Sequence, residues 1–143
     1  MRYLGIDYGG KRIGLAVGTS DDGLAFPREV IENNRETLDF ILSYIQDNNI
    51  EALVVGESKN LDGTPNPIME EIQGFIEEFK AQSDIPVYLE PELYTSHQAQ
   101  HIQGKNAMID ASAASLILGS FLERQKHNRG ESDTHADIYD SIQ

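Results

Sequence analysis

Short apolar runs separated by polar turns open the chain. The runs Tyr3–Asp7 and Arg12–Val17 flank two adjacent glycines, which can adopt the positive φ angles of a tight hairpin. A third run, Leu24–Ile31, contains Pro27. Because proline cannot donate a ladder hydrogen bond, it favours an edge strand or a bulge. We therefore expect three antiparallel strands at the start of the chain.

Helical and strand patterns alternate after these strands. Apolar residues recur at helical spacing within residues 35–49 and 68–80, which predicts two amphipathic helices. Between them, residues 50–56 form a continuous apolar run, which is typical of a strand covered on both faces. The apolar positions of the two helices are Leu38, Ile41, Leu42 and Ile45, and then Ile68, Ile72, Phe75, Ile76 and Phe79.

The remainder of the chain is predicted to add one strand and two helices. Residues 85–90 have the pattern of a strand, and residues 95–103 that of a short helix capped by Thr95 or Ser96. Asp110 then starts a helix that extends to about Lys126 and has many small residues in its first half. Residues 127–143 show little apolar periodicity, and we interpret them as a polar, flexible tail.

The predicted order of elements is β-β-β-α-β-α-β-α-α. An antiparallel meander followed by βαβ crossovers gives a mixed five-stranded sheet with helices on both faces, which is an α/β fold. The length of 143 residues suits one domain with its own core. We place this domain at residues 1–126 and the tail at residues 127–143.

The composition excludes several classes of protein. The chain has no cysteine, which excludes disulfide frameworks and cysteine chemistry. It shows neither a signal-peptide pattern nor a segment of membrane-spanning length, so we expect a cytoplasmic protein that binds no membrane. With 11 basic and 24 acidic residues, the net charge is −13, which argues against tight non-specific binding of nucleic acid. A polyanionic partner must therefore meet a local basic patch or bound cations.

Asp7 is an acidic residue at the inner end of an otherwise apolar run. Alternate residues of a strand share a face, so Asp7 points the same way as Gly5, which leaves space beside the carboxylate. A buried carboxylate is costly unless something pairs with it. One interpretation is a strand-end residue that accepts hydrogen bonds from the following turn. The other is a metal ligand at the carboxyl end of a central strand, where α/β folds place their sites.

Two further acids are candidates for the same site. Glu92 follows the predicted strand at 85–90, and Asp110 lies in the first turn of the last helix, where the helix dipole alone also favours an acid. Three carboxylates at contact distance repel by roughly 4 kcal/mol per pair, so such a cluster needs a cation. Hard oxygen ligands select Mg²⁺ or Mn²⁺, and pairs of such ions serve phosphodiester cleavage. The spacing along the chain does not establish that the three acids converge.

Four segments resemble a single family in their order and spacing. They are GIDYGGKRIGLAV, VVGESKNLDGT, PVYLEPELYTSHQA and DASAASLIL, and together they are similar to the YqgF family over residues 1–125. Members are bacterial RNase H-like proteins described as pre-16S rRNA nucleases or as Holliday junction resolvases. The resemblance implies an RNase H-like fold and a metal-dependent nuclease of structured nucleic acid. Its first expected substrate is the 5′ end of pre-16S rRNA in ribosome biogenesis, and branched DNA is the alternative.

The resemblance also implies roles for individual residues. Asp7, Glu92 and Asp110 match the three acids of the family and are expected to be catalytic and to hold two Mg²⁺ or Mn²⁺ ions. Lys11 and Arg12 match the basic pair of the hairpin and are expected to steer a phosphate toward the ions. The other candidate contacts with nucleic acid are Asn60, Thr95, Ser96 and Lys105.

The sequence departs from the family pattern beside Glu92 and at the end of the central strand. Pro91 and Leu93 stand where the Asp-Glu-Arg motif of the family has an acid and a base, which leaves weakened activity as an alternative. Glu57 and Ser58 replace the usual Leu-Pro pair. Glu57 is either a supplementary ligand or an exposed loop acid.

Two other classes of function are alternatives. Actin-like kinases and ATPases also have a Gly-Ile-Asp-x-Gly loop between two strands, but their fold needs two such domains, and one domain nearly exhausts this chain. A non-catalytic RNA-binding scaffold is consistent with the net charge of −13 and with the replaced residues beside Glu92. A junction resolvase needs a dimer, and the sequence reveals no dimer face, so both a monomer and a homodimer are retained.

Overall fold

The structure, a computed structural model, describes residues 1–57, 67–91 and 107–131, with the backbone alone for residues 107–110 and 127–131. The predicted short helix at 95–103 lies outside the described residues. The elements in chain order are β1 (Arg2–Tyr8), β2 (Arg12–Thr19), β3 (Ala25–Glu32), α1 (Thr37–Asp47), β4 (Ala52–Glu57), α2 (Ile68–Gln82), β5 (Val87–Pro91) and α3 (Ala107–Glu131).

A five-stranded sheet in the order β3-β2-β1-β4-β5 forms the centre of the fold. β2 is antiparallel to both β1 and β3, whereas β4 is parallel to both β1 and β5. The mixed sheet expected from the sequence is confirmed. The parallel strands end together at Tyr8, Glu57 and Pro91, and we call this border the carboxyl edge.

β3 lies at one side of the sheet, and its pairing with β2 is irregular at Pro27. Ala16 faces Pro27 while Leu15 faces Glu29, so Arg28 is an extra residue in β3. The sequence predicted an edge strand or a bulge, and β3 has both features. Because a bulge takes one residue out of the ladder, the missing N–H of proline is tolerated there.

α1 and α2 cover one face of the sheet, and large side chains fill the space between them. Burial of one such side chain contributes about 1.5–3 kcal/mol, so this first core supplies much of the stability. The predicted apolar positions of both helices pack here, some of them at the margin. The buried members include Leu4, Ile6, Ile13, Leu15, Ile41, Ile45, Leu53, Val55, Met69, Ile72, Phe75 and Phe79.

α3 covers the other face, and this second core combines alanines with large side chains of the helix such as Phe121 and Leu122. A Cβ on Gly5 would lie 2.7 Å from the Cβ of Leu118 and 3.1 Å from the carbonyl oxygen of Ala114. Glycine at position 5 therefore allows the helix to lie directly against β1. The expected open space at Gly5 is wrong, because α3 fills it. The buried members are Tyr3, Ala16, Ala52, Val54, Ala114, Ile117, Leu118, Phe121 and Leu122.

The glycines of the hairpin between β1 and β2 have a different role from the predicted one, which was to adopt positive φ angles. Among the described residues, positive φ angles occur at Gly23 and Asn49 and not in this hairpin. Gly9 is required for close approach instead. Its N–H donates to the carbonyl oxygen of Arg12 over 3.0 Å, and a Cβ on Gly9 would lie 2.5 Å from that oxygen.

The last helix is longer than its apolar pattern indicates. α3 begins at Ala107 rather than at Asp110, and it continues to Glu131. Residues 127–131, which we had assigned to the tail, therefore belong to the helix, while residues 132–143 lie outside the described ranges. Within those ranges, no helix has the length and apolarity that a membrane span requires.

Candidate functional site

Asp7 lies one residue before the end of β1, at the carboxyl edge, on the face that α3 covers. Its side chain is half-buried. Both strands beside it have a glycine at this level: Gly14 pairs with Asp7 in β2, and the parallel register places Gly56 next to it in β4. Neither neighbour therefore contributes a side chain beside the carboxylate on this face.

α3 runs over β1 in the opposite direction. The ring of Phe121 packs edge to face against that of Tyr3, with the centroids 5.5 Å apart. Ala114, two turns earlier in the helix, lies over Gly5. Each step along β1 toward the carboxyl edge therefore corresponds to an earlier turn of α3.

The antiparallel course of α3 over β1 determines where the backbone of Asp110 lies relative to Asp7. Asp110 precedes Ala114 by one helical turn, which is about 6 Å along the axis. Asp7 follows Gly5 by two residues, which is about 7 Å along the strand. The backbone of Asp110 therefore lies over the end of β1 that carries Asp7.

Two cations project from the hairpin that follows Asp7. Lys11 and Arg12 are exposed at the carboxyl edge. Asn33 restrains this hairpin: its N–H donates to the carbonyl oxygen of Lys11 over 2.9 Å, and its Nδ2 donates to that of Gly9 over 2.8 Å. The sequence did not reveal this role, because an asparagine just before a helix is typical of any turn or cap.

Glu90 is a second carboxylate in the same row of the sheet as Asp7, paired with Gly56 across β4 and β5. It is only 2% exposed. Its Oε2 accepts a hydrogen bond from the hydroxyl of Ser120 over 3.0 Å, and its Oε1 forms an ion pair with Arg124. Burial raises the pKa of the Glu90 carboxyl, and Arg124 and Ser120 offset part of that rise. Glu90 therefore links β5 to α3.

The link through Glu90 was missed from the sequence, although a signal was available. Glu90 alternates with Tyr88, whose ring lies 5.1 Å from that of Phe121 in the second core. Strand alternation therefore turns Glu90 toward α3. Its partner Arg124 is 34 residues away along the chain, and no periodicity connects two residues at that distance.

The structure describes only some of the other predicted site residues. Glu57 ends β4 and alternates with Val55 of the first core, so its register places it on the α1 and α2 face, opposite to Asp7. Within the described ranges, no three acidic or histidine side chains are grouped to hold a metal ion. The predicted residues that lie outside those ranges are Asn60, Glu92, Thr95, Ser96 and Lys105.

Comparison with known proteins identifies relatives along nearly the whole chain. A family model described as "RuvX: Holliday junction resolvase" matches residues 1–124. A protein of Nitratidesulfovibrio vulgaris (strain DSM 19637 / Miyazaki F) named "Putative pre-16S rRNA nuclease" is 34% identical over 139 residues, covering 90% of this chain and 98% of the relative. One of the same name from Chlorobium phaeobacteroides (strain BS1) is 37% identical over 134 residues, covering 85% and 92%.

Solved structures share the fold. T. thermophilus RuvC, in complex with a Holliday junction substrate, superposes with a TM-score of 0.58 at 19% identity, covering 88% of this chain and 96% of that one. The fowlpox virus resolvase, in complex with Holliday junction DNA, gives 0.57 at 12% identity, covering 87% and 99%. These similarities confirm the RNase H-like fold expected from the sequence.

Proposed function

Since the chain belongs to the RuvX family of nucleases, which is also called YqgF, we propose that it hydrolyses phosphodiester bonds of structured nucleic acid with the help of divalent cations. The catalytic groups in this proposal are the carboxylates of Asp7, Glu92 and Asp110. The basic pair Lys11 and Arg12 binds the phosphate backbone beside them.

The single observation that carries the proposal is the surroundings of Asp7. A half-buried carboxylate stands at the carboxyl edge of a central strand, between Gly14 and Gly56, below the helix that contains Asp110. A purely structural acid would not require that both neighbouring strands lack a side chain at its level. This arrangement fits a site in which the carboxylate meets a ligand.

Mg²⁺ or Mn²⁺ fits this set of donors. Carboxylate oxygens are hard ligands, which these cations prefer, and no thiol occurs in the chain. Asp7, Glu92 and Asp110 would hold the cations, two of them in the arrangement that the family resemblance implies. Bound divalent cations supply positive charge to the attacking and leaving oxygens of a phosphodiester.

The basic residues of the hairpin compensate the negative charge of the substrate. The chain carries a net charge of −13, so a polyanion approaches only where positive charge is concentrated. Lys11 and Arg12 provide such charge at the carboxyl edge, and the hydrogen bonds of Asn33 restrain the backbone from which they project. In this proposal they orient a phosphate toward Asp7.

Precursor 16S rRNA is the substrate that we favour. The relatives at 34% and 37% identity carry the name of a pre-16S rRNA nuclease, whereas the resolvases with solved structures share less than 20% identity and support the fold alone. The description of the matching family model makes a Holliday junction the second candidate.

Cleavage of the two substrates by matched variants tests the proposal. End-labelled pre-16S rRNA and a four-way DNA junction are incubated with wild type, Asp7→Asn and Asp84→Asn, each with Mn²⁺ and with EDTA. Asp84 is exposed before β5, at the opposite edge of the sheet, so its variant makes the same change in charge away from the site. We expect Asp7→Asn to lose roughly 1000-fold in cleavage rate, while Asp84→Asn stays near wild type.

Several outcomes would contradict the proposal. Cleavage that persists in Asp7→Asn or in the presence of EDTA would exclude a mechanism in which the carboxylates hold divalent cations. RNA binding that is unaffected by Asp7→Asn, without any cleavage by wild type, indicates the non-catalytic scaffold. Unfolding of Asp7→Asn would assign a structural role to this acid, since removing one of several clustered carboxylates otherwise leaves stability equal or slightly higher.

A further inference from the structure

A second candidate binding site lies at the other end of the sheet from Asp7. A cavity of about 240 Å³ opens beside the edge strand β3. Arg2 at the start of β1 contributes to its wall, together with Leu24 just before β3 and with Phe26 and Arg28 in β3. Nothing in the proposed reaction uses this cavity.

Large apolar side chains at this cavity are unusually exposed. Phe26 is 54% exposed and Leu24 is 55% exposed. The register pairs Phe26 with Val17, which packs at the margin of the first core. Phe26 therefore continues the apolar face that α1 and α2 cover elsewhere, at a place where it stays open. Clustered exposed apolar side chains of this kind mark interaction sites.

The charges around the cavity favour an anionic ligand. The guanidinium groups of Arg2 and Arg28 form no ion pair with the described residues. The carboxylate of Asp22 also lines the cavity, but its Oδ1 already accepts hydrogen bonds from the Thr19 hydroxyl over 3.1 Å and from the Leu24 N–H over 3.0 Å. Two cations without an ion-pair partner in the described part of the chain thus lie beside an aromatic ring in a protein whose net charge is −13.

We propose that this cavity binds an unpaired nucleotide of the nucleic-acid substrate. The base stacks on the ring of Phe26, and Arg2 and Arg28 bind the adjoining phosphates. An aromatic ring combined with cations is the usual means by which proteins bind single strands without reading their sequence. The inference rests on the proposed function only in taking nucleic acid as the ligand.

The distance from the active centre defines the substrate that can reach both sites. Arg2 precedes Asp7 by five residues, about 17 Å along β1, and it alternates with Leu4 on the opposite face. A nucleic-acid strand that runs from the carboxyl edge to the cavity must therefore pass around β3. A single-stranded extension of roughly 10 nucleotides lies within the length that such binding surfaces accommodate.

Binding experiments without cleavage test this site. Fluorescence anisotropy in EDTA measures the dissociation constant of an RNA stem-loop with a ten-nucleotide extension and of the same stem-loop with a blunt end. We expect Phe26→Ala to weaken binding of the extended RNA about tenfold, the loss of one stacked base, and to leave the blunt RNA within about twofold. Arg28→Gln should weaken binding of the extended RNA. It should also reduce the magnitude of the slope of log affinity against log salt concentration by about one.

Matched controls come from exposed residues elsewhere on the surface. Phe40 is 39% exposed on α1, and Arg35 is exposed just before that helix, so Phe40→Ala and Arg35→Gln should behave as wild type. The proposal is overturned if Phe26→Ala binds each RNA with the same dissociation constant as wild type does. A fall in molecular mass by sedimentation in Phe26→Ala, with unchanged RNA affinity, also overturns it and assigns the cavity to contact between copies of the chain. Neither result depends on the cleavage assay of Asp7→Asn, so the two proposals fail independently.

Discussion

The two faces of the sheet differ in the size and polarity of their side chains. On the α1 and α2 face, branched and aromatic residues form a continuous apolar core, and Tyr8 extends it by packing on Phe75 with the centroids 5.4 Å apart. On the α3 face, the strands contribute several glycines and alanines opposite the large side chains of α3, and Asp7 and Glu90 lie in one row of the sheet.

The difference shows how the size of the side chains on a sheet sets how closely a helix approaches each of its faces. Large side chains hold helices at a distance and exclude water, which gives stability through buried apolar area. Small side chains let α3 approach β1 at Gly5, which brings the backbone of Asp110 over Asp7. Asp7, the acid to which we assign a role in the proposed reaction, lies on this second face, where neither neighbouring strand contributes a side chain at its level.

The largest effect is expected from adding one methyl group to the α3 face. Gly5→Ala would place its Cβ 2.7 Å from the Cβ of Leu118, and because the other close atom is a backbone oxygen, the whole helix must move. We expect a loss of about 2–3 kcal/mol in the free energy of unfolding, measured by urea denaturation. Cleavage should fall as well, because α3 carries Asp110.

The matched control adds the same methyl group on the other face. Nothing lies within 4 Å of a Cβ on Gly74 in α2, so Gly74→Ala should be neutral or stabilise by up to about 1 kcal/mol. Equal stability of the two variants would show that α3 does not pack on Gly5.

The next largest effect concerns the ion pair between Glu90 and Arg124. Arg124→Ala leaves the buried carboxylate with Ser120 as its remaining partner among the residues that the structure describes. Breaking a fully buried pair costs about 3–5 kcal/mol, but the side chain of Arg124 is 49% exposed. We therefore expect a loss of about 1–2 kcal/mol at pH 8 after allowing for solvent screening.

The loss on removing Arg124 should depend on pH in a defined direction. Burial raises the pKa of Glu90 in the folded state above its ordinary value of 4.5, so stability decreases as the pH rises through the folded pKa. Arg124→Ala removes a group that lowers this pKa, so its destabilisation should be small near pH 4.5 and complete at pH 8. Lys126→Ala, an equal change in charge at an exposed position of α3, should show no such dependence. A loss that is the same at both pH values would contradict this account of Glu90.

The smallest effect is expected at Glu57, which the register places on the face opposite to Asp7. Glu57→Gln should leave the rate of Mn²⁺-dependent cleavage within about twofold of wild type, whereas Glu92→Gln should lose roughly 100-fold or more. Comparable losses in both variants would mean that Glu57 shares the role of Glu92 and that strand alternation does not describe the end of β4.

Most of the fold could be predicted from the chain because its signals are local. Period-two runs, a proline in an edge strand and helical spacing in α1 and α2 each depend on residues close in sequence. The end of α3 was misjudged because its polar last turns carry no apolar pattern. The hairpin glycines were misjudged because a glycine permits either a positive φ or a close approach, and only the neighbouring atoms decide between them.

The order of the elements, the family and the residues of β1 that share a face with Asp7 can be deduced from the amino-acid sequence, since they follow from periodicity and from motifs of adjacent residues. The folded chain was needed to show that glycines flank Asp7 on both sides, that α3 runs antiparallel to β1 above it, and that Glu90 pairs with Arg124. Each of these depends on strand register or on helix direction. Register and direction are set by the packing of residues far apart in the chain, which no local pattern contains.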